Sequence, residues 1–313
     1  MPQRISSPSL YRSAVATVIF LVLAACSSSS PQLEEEPETP VDAEAEAAQE
    51  LQALMEAADQ AFDDRADADR AEEAIQLWSE ALSSEAIDDT QRVELLESIA
   101  GAHFFIGRYH EADGVDDGSN GSRSRHATAG REAAADALAI VAPEFLRAVE
   151  RGAPFEEDLP ELPESALDAL LWYAKNLDLL AATGGVAVEL ETSPLVESVM
   201  EFVAENRPDA HHGAAHRYFG VRWVERPLNR NAEESRQAFE RSIEADPDFA
   251  LNRLLLARHL AVFEGDRDRF EGELQAIIDG TDQPTAPENA VVRSWAEALL
   301  ERIDEFFDAS GAQ

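Results

Sequence analysis

From about residue 43 onward, apolar residues recur at three- and four-residue spacing, and no segment alternates apolar and polar positions as a half-buried strand does. The pattern predicts an all-α chain. Helical segments fall near 43–62, 70–84, 90–111, 126–150, 164–182, 194–206, 211–225, 232–245, 249–264, 267–279 and 286–308, separated by Gly, Pro or Asp turn signals. The last shows the quality of the signal. Thr285 and Glu288 make a capping box, Pro287 sits in the first turn, and Val292, Trp295, Leu299, Ile303 and Phe306 form one stripe.

Weak repetition of a 34-residue helix-turn-helix kind runs through these segments. Ala74, Trp78 and Ala81 carry the small-large-small spacing of a second helix, and Ala100, Gly107, Tyr109 and Ala112 that of a first helix and its turn. Ser235, Phe239, Ser242 and Pro247 repeat the second-helix pattern, followed by Leu256, Ala257 and Leu260. The expected architecture is a helical-hairpin bundle or solenoid of cryptic tetratricopeptide-like units, interrupted by a polar loop over 113–125. Segment 164–182 is apolar almost all round, which places it centrally and leaves Lys175 and Asn176 as buried polar groups that need partners or a wet cavity. Trp172 lies one turn from Asn176 on the same face, so the pair is a candidate cavity wall beside the simpler reading of a satisfied core asparagine.

The N-terminus reads as a processing and anchoring segment. Arg4 and Arg12 precede an apolar run that ends in Leu23-Ala24-Ala25-Cys26, the pattern of a bacterial lipoprotein signal spanning 1–25, with Cys26, the single cysteine, as the lipidated residue. Residues 26–48, rich in Ser, Pro and Glu, read as an acidic linker, and 49–309 as the helical domain. Acylation of Cys26 would leave no thiol for a disulfide, a metal or a nucleophile.

Charge sharpens the picture. The chain carries 63 acidic and 25 basic residues, a net charge of −38. Such a surface excludes nucleic acid as a partner. One lysine, Lys175, stands among 24 arginines. Residues 207–230 invert the local sign with Arg207, Arg217, Arg222, Arg226 and Arg230, beside His211, His212 and His216. Guanidinium forks suit an organic acid or an acidic partner surface, while pairing with neighbouring Asp and Glu explains them equally well. His212 and His216 lie four apart, yet no glutamate completes a metalloprotease pattern and Gly213 weakens the helix, so no metal and no cofactor are expected. No nucleophile elbow or phosphate-binding glycine loop is present, and the chain reads as a non-enzyme.

The segments Ala169-Leu170-Leu171-Trp172-Tyr173-Ala174-Lys175-Asn176-Leu177, His212-Gly213-Ala214-Ala215-His216-Arg217-Tyr218-Phe219-Gly220, Phe239 to Pro247, Asp266 to Phe270, and Ala286 to Ala290 before Ala296 to Leu300 occur in an order and spacing that resembles the T-component lipoproteins of tripartite ATP-independent periplasmic (TRAP) transporters, over roughly residues 45–308. Leu228-Asn229-Arg230-Asn231 departs from the glycine-rich turn expected after Pro227. The resemblance implies a lipid-anchored periplasmic protein of the outer membrane that forms a homo-oligomer, a trimer, and associates with the transporter's periplasmic solute-binding protein. It also implies a cavity in the helical body where a small organic ligand passes or is presented, without covalent turnover. By their place in these segments and in the basic stretch, Trp172, Asn176, His216, Arg217, Tyr218 and Arg222 are the candidate cavity or contact residues. A general tetratricopeptide-like scaffold of envelope assembly is the alternative.

Overall fold

Helix starts are set by side chains that replace missing backbone partners. Asp67 accepts a hydrogen bond from the Asp69 N–H ahead of α2 (Ala68–Leu82), Asp88 forms a capping box with Gln91 on α3 (Asp89–Phe105), Asn231 caps α9 (Ala232–Ala245) and Asp266 caps α12 (Arg267–Asp279). The computed structural model describes residues 40–110, 120–280 and 286–307, and among these the chain is helical with no strand. The remaining helices are α1 (Pro40–Asp63), α4 (Asn120–Val141), α5 (Pro143–Glu150), α6 (Leu167–Gly184), α7 (Val186–Asn206), α8 (Ala210–Glu225), α10 (Ala250–Leu255), α11 (Val262–Glu264), α13 (Glu288–Glu301) and α14 (Ile303–Phe307). Neighbours in sequence are mostly neighbours in space: α1 packs on α2, α3 on α4, α4 on α6, α6 on α7, α8 on α9 and α12 on α13.

Two apolar clusters result. One gathers Leu95, Leu138, Leu170, Leu171, Val199 and their neighbours from α1 to α7; the other gathers Phe239, Leu254, Leu260, Phe270, Leu274 and Leu299 from α9 to α13, with Phe105 and Tyr109 joining from α3 and its continuation. Phe62 and Ile75 touch both. Helix α6 is central, as its composition predicts, and α8 meets α9 closely because Gly220 leaves room for the fully buried Phe239 ring while its carbonyl accepts from Ser235 Oγ at 2.6 Å.

Several boundaries differ from the sequence reading. Helix α1 begins at Pro40, inside the range assigned to the linker, because the Ala/Glu run 43–48 favours helix despite its charge. The loop expected over 113–125 is wrong for 120–125, which belong to α4: Arg123, Ala127, Gly130, Ala134 and Leu138 form its buried stripe, and an arginine in that stripe disguised it as polar. Residues 113–119 lie outside the described residues, as do Cys26, Thr285 and the rest of 1–39. The single helix expected over 126–150 breaks at Ala142 (φ −144°), whose backbone Pro143 drives out of the helical region. Helix α7 starts at Val186, eight residues before Pro194, and the last helix is interrupted at Arg302 (φ −107°). Two helices also pass into π-helical turns, Ile106–His110 after α3 and Leu256–Ala261 after α10.

Candidate functional site

The first turn of α8 is left-handed. His211 (φ 47°), His212 (φ 61°) and Gly213 (φ 71°) adopt it in succession, a conformation that costs about 1 kcal/mol or more at each non-glycine residue and must be held from outside. Arg217, one turn on, donates to the His212 carbonyl at 2.9 Å, to the His211 carbonyl at 3.4 Å and to Asn252 Oδ1 at 2.7 Å. Asn252 is fully buried and returns its amide to the carbonyls of Ser242, His212 and Asp246. His212 bonds Asp246 through Nδ1 at 2.6 Å and stacks on Phe249 at 4.2 Å. Burial lowers the Arg217 pKa to about 10, still charged at neutral pH.

The turn aims His211 at α6. Its ring lies 4.2 Å from Trp172, its Nδ1 is 3.1 Å from Lys175 Nζ, and its Nε2 is 3.6 Å from Asp168. Burial first, and then the adjacent Lys175, push the His211 pKa down to about 4. Lys175 Nζ sits 3.8 Å from the Trp172 ring centroid and 4.3 Å from that of Phe104. Burial drives its pKa well below the ordinary lysine value and Arg217 adds to the effect. The ring faces attract an ammonium but do not replace the water it has lost.

Beyond this network opens a cavity of about 420 Å³, walled by α3, α4, α6, α7, α8, α10, α13 and both π-helical turns. The turns matter because the wider winding sets Arg108 in one and Arg258 with His259 in the other onto the cavity wall, and π-helical turns are frequent at functional sites. Arg123, Arg217, Arg222 and Lys175 add further basic groups, against the acids Asp178, Glu189 and Glu225. In a chain of net charge −38 this wall carries a majority of cations. Glu189 is bound to Arg222 at 3.1 Å and Glu225 to His259 at 2.7 Å. Burial alone would raise Glu225, but the His259 hydrogen bond and the charges of His259, Arg258 and Arg108 together hold the carboxyl below its ordinary value. Asp178 lines the cavity and remains exposed; loss of hydration among its neighbours raises its pKa to about 6, against the pull of Arg108. Val196, Met200, Leu251, Leu254 and Leu255 supply an apolar part of the wall.

Of the residues expected from sequence, Arg217, Tyr218 and Arg222 lie on this wall, and burial together with Asp178 raises the Tyr218 pKa. Trp172 backs it through Lys175. Asn176 faces the α3/α4 contact instead: its amide donates to the Ala100 carbonyl at 3.2 Å and the Trp172 carbonyl at 2.9 Å, and it packs where a side chain on Gly130 would fall 2.3 Å from Oδ1. His216 is buried away from the cavity, its pKa lowered by burial and then by Arg241. Among the described residues no three His, Cys, Asp or Glu side chains converge as a metal site. The arginines of 207–230 are largely paired inside the fold: Arg207 with Asp168, Arg222 with Glu189, Arg226 with Glu197. Arg108, Arg123 and Arg258 escaped sequence reasoning because their cavity placement depends on helix register.

No curated protein matches the chain. A family model described as TRAP transporter T-component matches residues 109–307, which takes in most of the second apolar cluster and every cavity-lining residue except Phe104 and Arg108. Among the described residues no helix is long and apolar enough to cross a membrane. The chain belongs to the TRAP transporter T-component family, accessory proteins on the periplasmic side of that transport system.

Proposed function

We propose that the protein is a lipid-anchored T-component, tethered through Cys26 by the acidic linker, that docks onto the periplasmic solute-binding protein of a TRAP transporter and receives, passes or presents a small organic anion in its cavity. The observation that carries this reading is the concentration of arginines on the wall of a 420 Å³ cavity inside an otherwise strongly acidic chain. Electrostatics favours a carboxylate there, and the apolar wall accepts its carbon skeleton. Docking at the cavity rim is supported by Val186 and Leu190, 70% and 73% exposed, on the turns of α7 whose other residues Glu189, Thr192 and Ser193 line the cavity. Tetratricopeptide-like pairing of helices accords with the Gly220–Phe239 contact, and assembly as a closed trimer is part of the same proposal.

The test is capture with the tagged mature lipoprotein from gently solubilised envelopes, with partners identified by mass spectrometry. Recovery of a periplasmic solute-binding protein and its permease is expected. Recovery of outer-membrane assembly factors alone would move the assignment to a general scaffold.

A further inference from the structure

We propose that Lys175 is a covalent anchoring site for carbonyl-bearing organic acids, its amine forming a reversible imine with a 2-oxo acid whose carboxylate is held by the cavity arginines. This rests on the organic-anion reading of the cavity and names the ligand class within it.

The first observation is the placement of the lysine. Every other basic side chain apart from histidine is arginine, 24 of them, and the single lysine stands on the cavity wall. Arginine remains charged when buried and offers no nucleophilic lone pair, whereas a desolvated lysine becomes a neutral amine able to attack a carbonyl. The second is its enclosure. Trp172 and Phe104 flank Nζ at 3.8 and 4.3 Å and exclude water, and among the described residues its hydrogen-bond partner is His211 Nδ1 at 3.1 Å, not a carboxylate. Burial accordingly lowers its pKa. The third is support from behind. His211 is fixed by the left-handed turn that Arg217 and Asn252 hold, so it is a positioning residue that aims the amine. Finally, Asp178 lies one helical turn from Lys175 on the same wall, and with a pKa of about 6 it is suited to exchanging a proton near neutral pH.

The step balances without an oxidant or reductant. The amine lone pair adds to the carbonyl carbon, and the carbonyl oxygen takes up the proton that nitrogen gives up. The resulting carbinolamine then forms the C=N bond as its hydroxyl, protonated by a wall acid such as Asp178, leaves as water; the second nitrogen proton returns to that acid. One water is released for each imine, and hydrolysis reverses the sequence.

The experiment incubates the whole mature chain at neutral pH with pyruvate, 2-oxobutyrate or 2-oxoglutarate and sodium cyanoborohydride, which reduces only the imine, and follows intact mass and peptide mapping. Single labelling at Lys175 is expected, at least about tenfold faster in the folded protein than in the same chain in urea, as a pre-positioned amine requires. Excess lactate, which has the carboxylate but no carbonyl, should slow it, and Arg108→Gln, verified as folded by circular dichroism, should slow it severalfold. Lys175→Met gives the background. Labelling no faster than in urea overturns the proposal. If calorimetry then still detects saturable lactate or pyruvate binding, only the imine falls; if it detects none, the anion cavity falls with it.

Discussion

Asp178→Asn should stabilise the protein above pH 6 and leave it nearly unchanged at pH 4. The carboxyl titrates at about 6 in the folded chain against 3.8 in its ordinary state, because burial on the cavity wall disfavours its charge more than Arg108 restores it. A native pKa above the unfolded one means that the folded state binds the extra proton, so stability falls as pH rises from about 4 to 6 and the deficit is complete beyond that. The full gap corresponds to about 3 kcal/mol. The residue is exposed on the cavity wall, and water screens its charge, so a gain of about 1 kcal/mol is the appropriate magnitude. Asparagine nearly matches the shape of the acid and removes only the charge. Urea unfolding of both proteins at pH 4, 5, 6 and 8 measures the difference directly, with the slope m held as a check on the unfolded state. A variant less stable at pH 8, or a difference independent of pH, would show that Asp178 is held ionised by the arginines and that the cavity is less desolvated than its geometry indicates.

Further outcomes follow from other contacts. Gly220→Ala places a methyl 2.7 Å from the fully buried Phe239 ring and should cost about 1–3 kcal/mol in urea unfolding. Leu190→Asp with Val186→Asp, on exposed positions, should leave unfolding within about 0.5 kcal/mol of wild type yet reduce recovery of the solute-binding protein in the capture assay. A double-mutant cycle on Arg222 and Glu189, a partly exposed pair at 3.1 Å, should return a coupling below about 1 kcal/mol. The His103 pKa is lowered to about 4 by burial and then by His126, so its neutral form is the stable one; stability should fall as pH drops from 6.5 toward 4, and His103→Gln should make that limb shallower.

The helical architecture was legible because every core helix carries an apolar stripe and α2, α3, α9 and α12 carry caps, and α6 announced its central place by having almost no polar face. What escaped were features in which one residue type plays an unusual part. Arg123 fills a buried helical position that reads as polar, which hid the start of α4. The π-helical turns leave no mark in periodicity, since one extra residue per turn shifts the stripe no more than ordinary irregularity does, and with them Arg108 and Arg258 were lost. The basic stretch 207–230 was visible, but its arginines serve chiefly to pair with Asp168, Glu189 and Glu197 and to hold a left-handed turn that only His-His-Gly hinted at. Lys175 stood out by its solitude in the composition, and only the fold gave it a cavity.

The central claim, that the cavity is an organic-anion site, is tested most directly by isothermal titration of the mature protein with a panel of small carboxylates at low and high salt, beside Arg108→Gln. The account predicts saturable, stoichiometric binding that weakens with salt and drops at least about tenfold in the variant, the scale expected for loss of one charge-assisted contact to a carboxylate. Carboxylate binding equal in the wild type and the variant, or none at all, would contradict it.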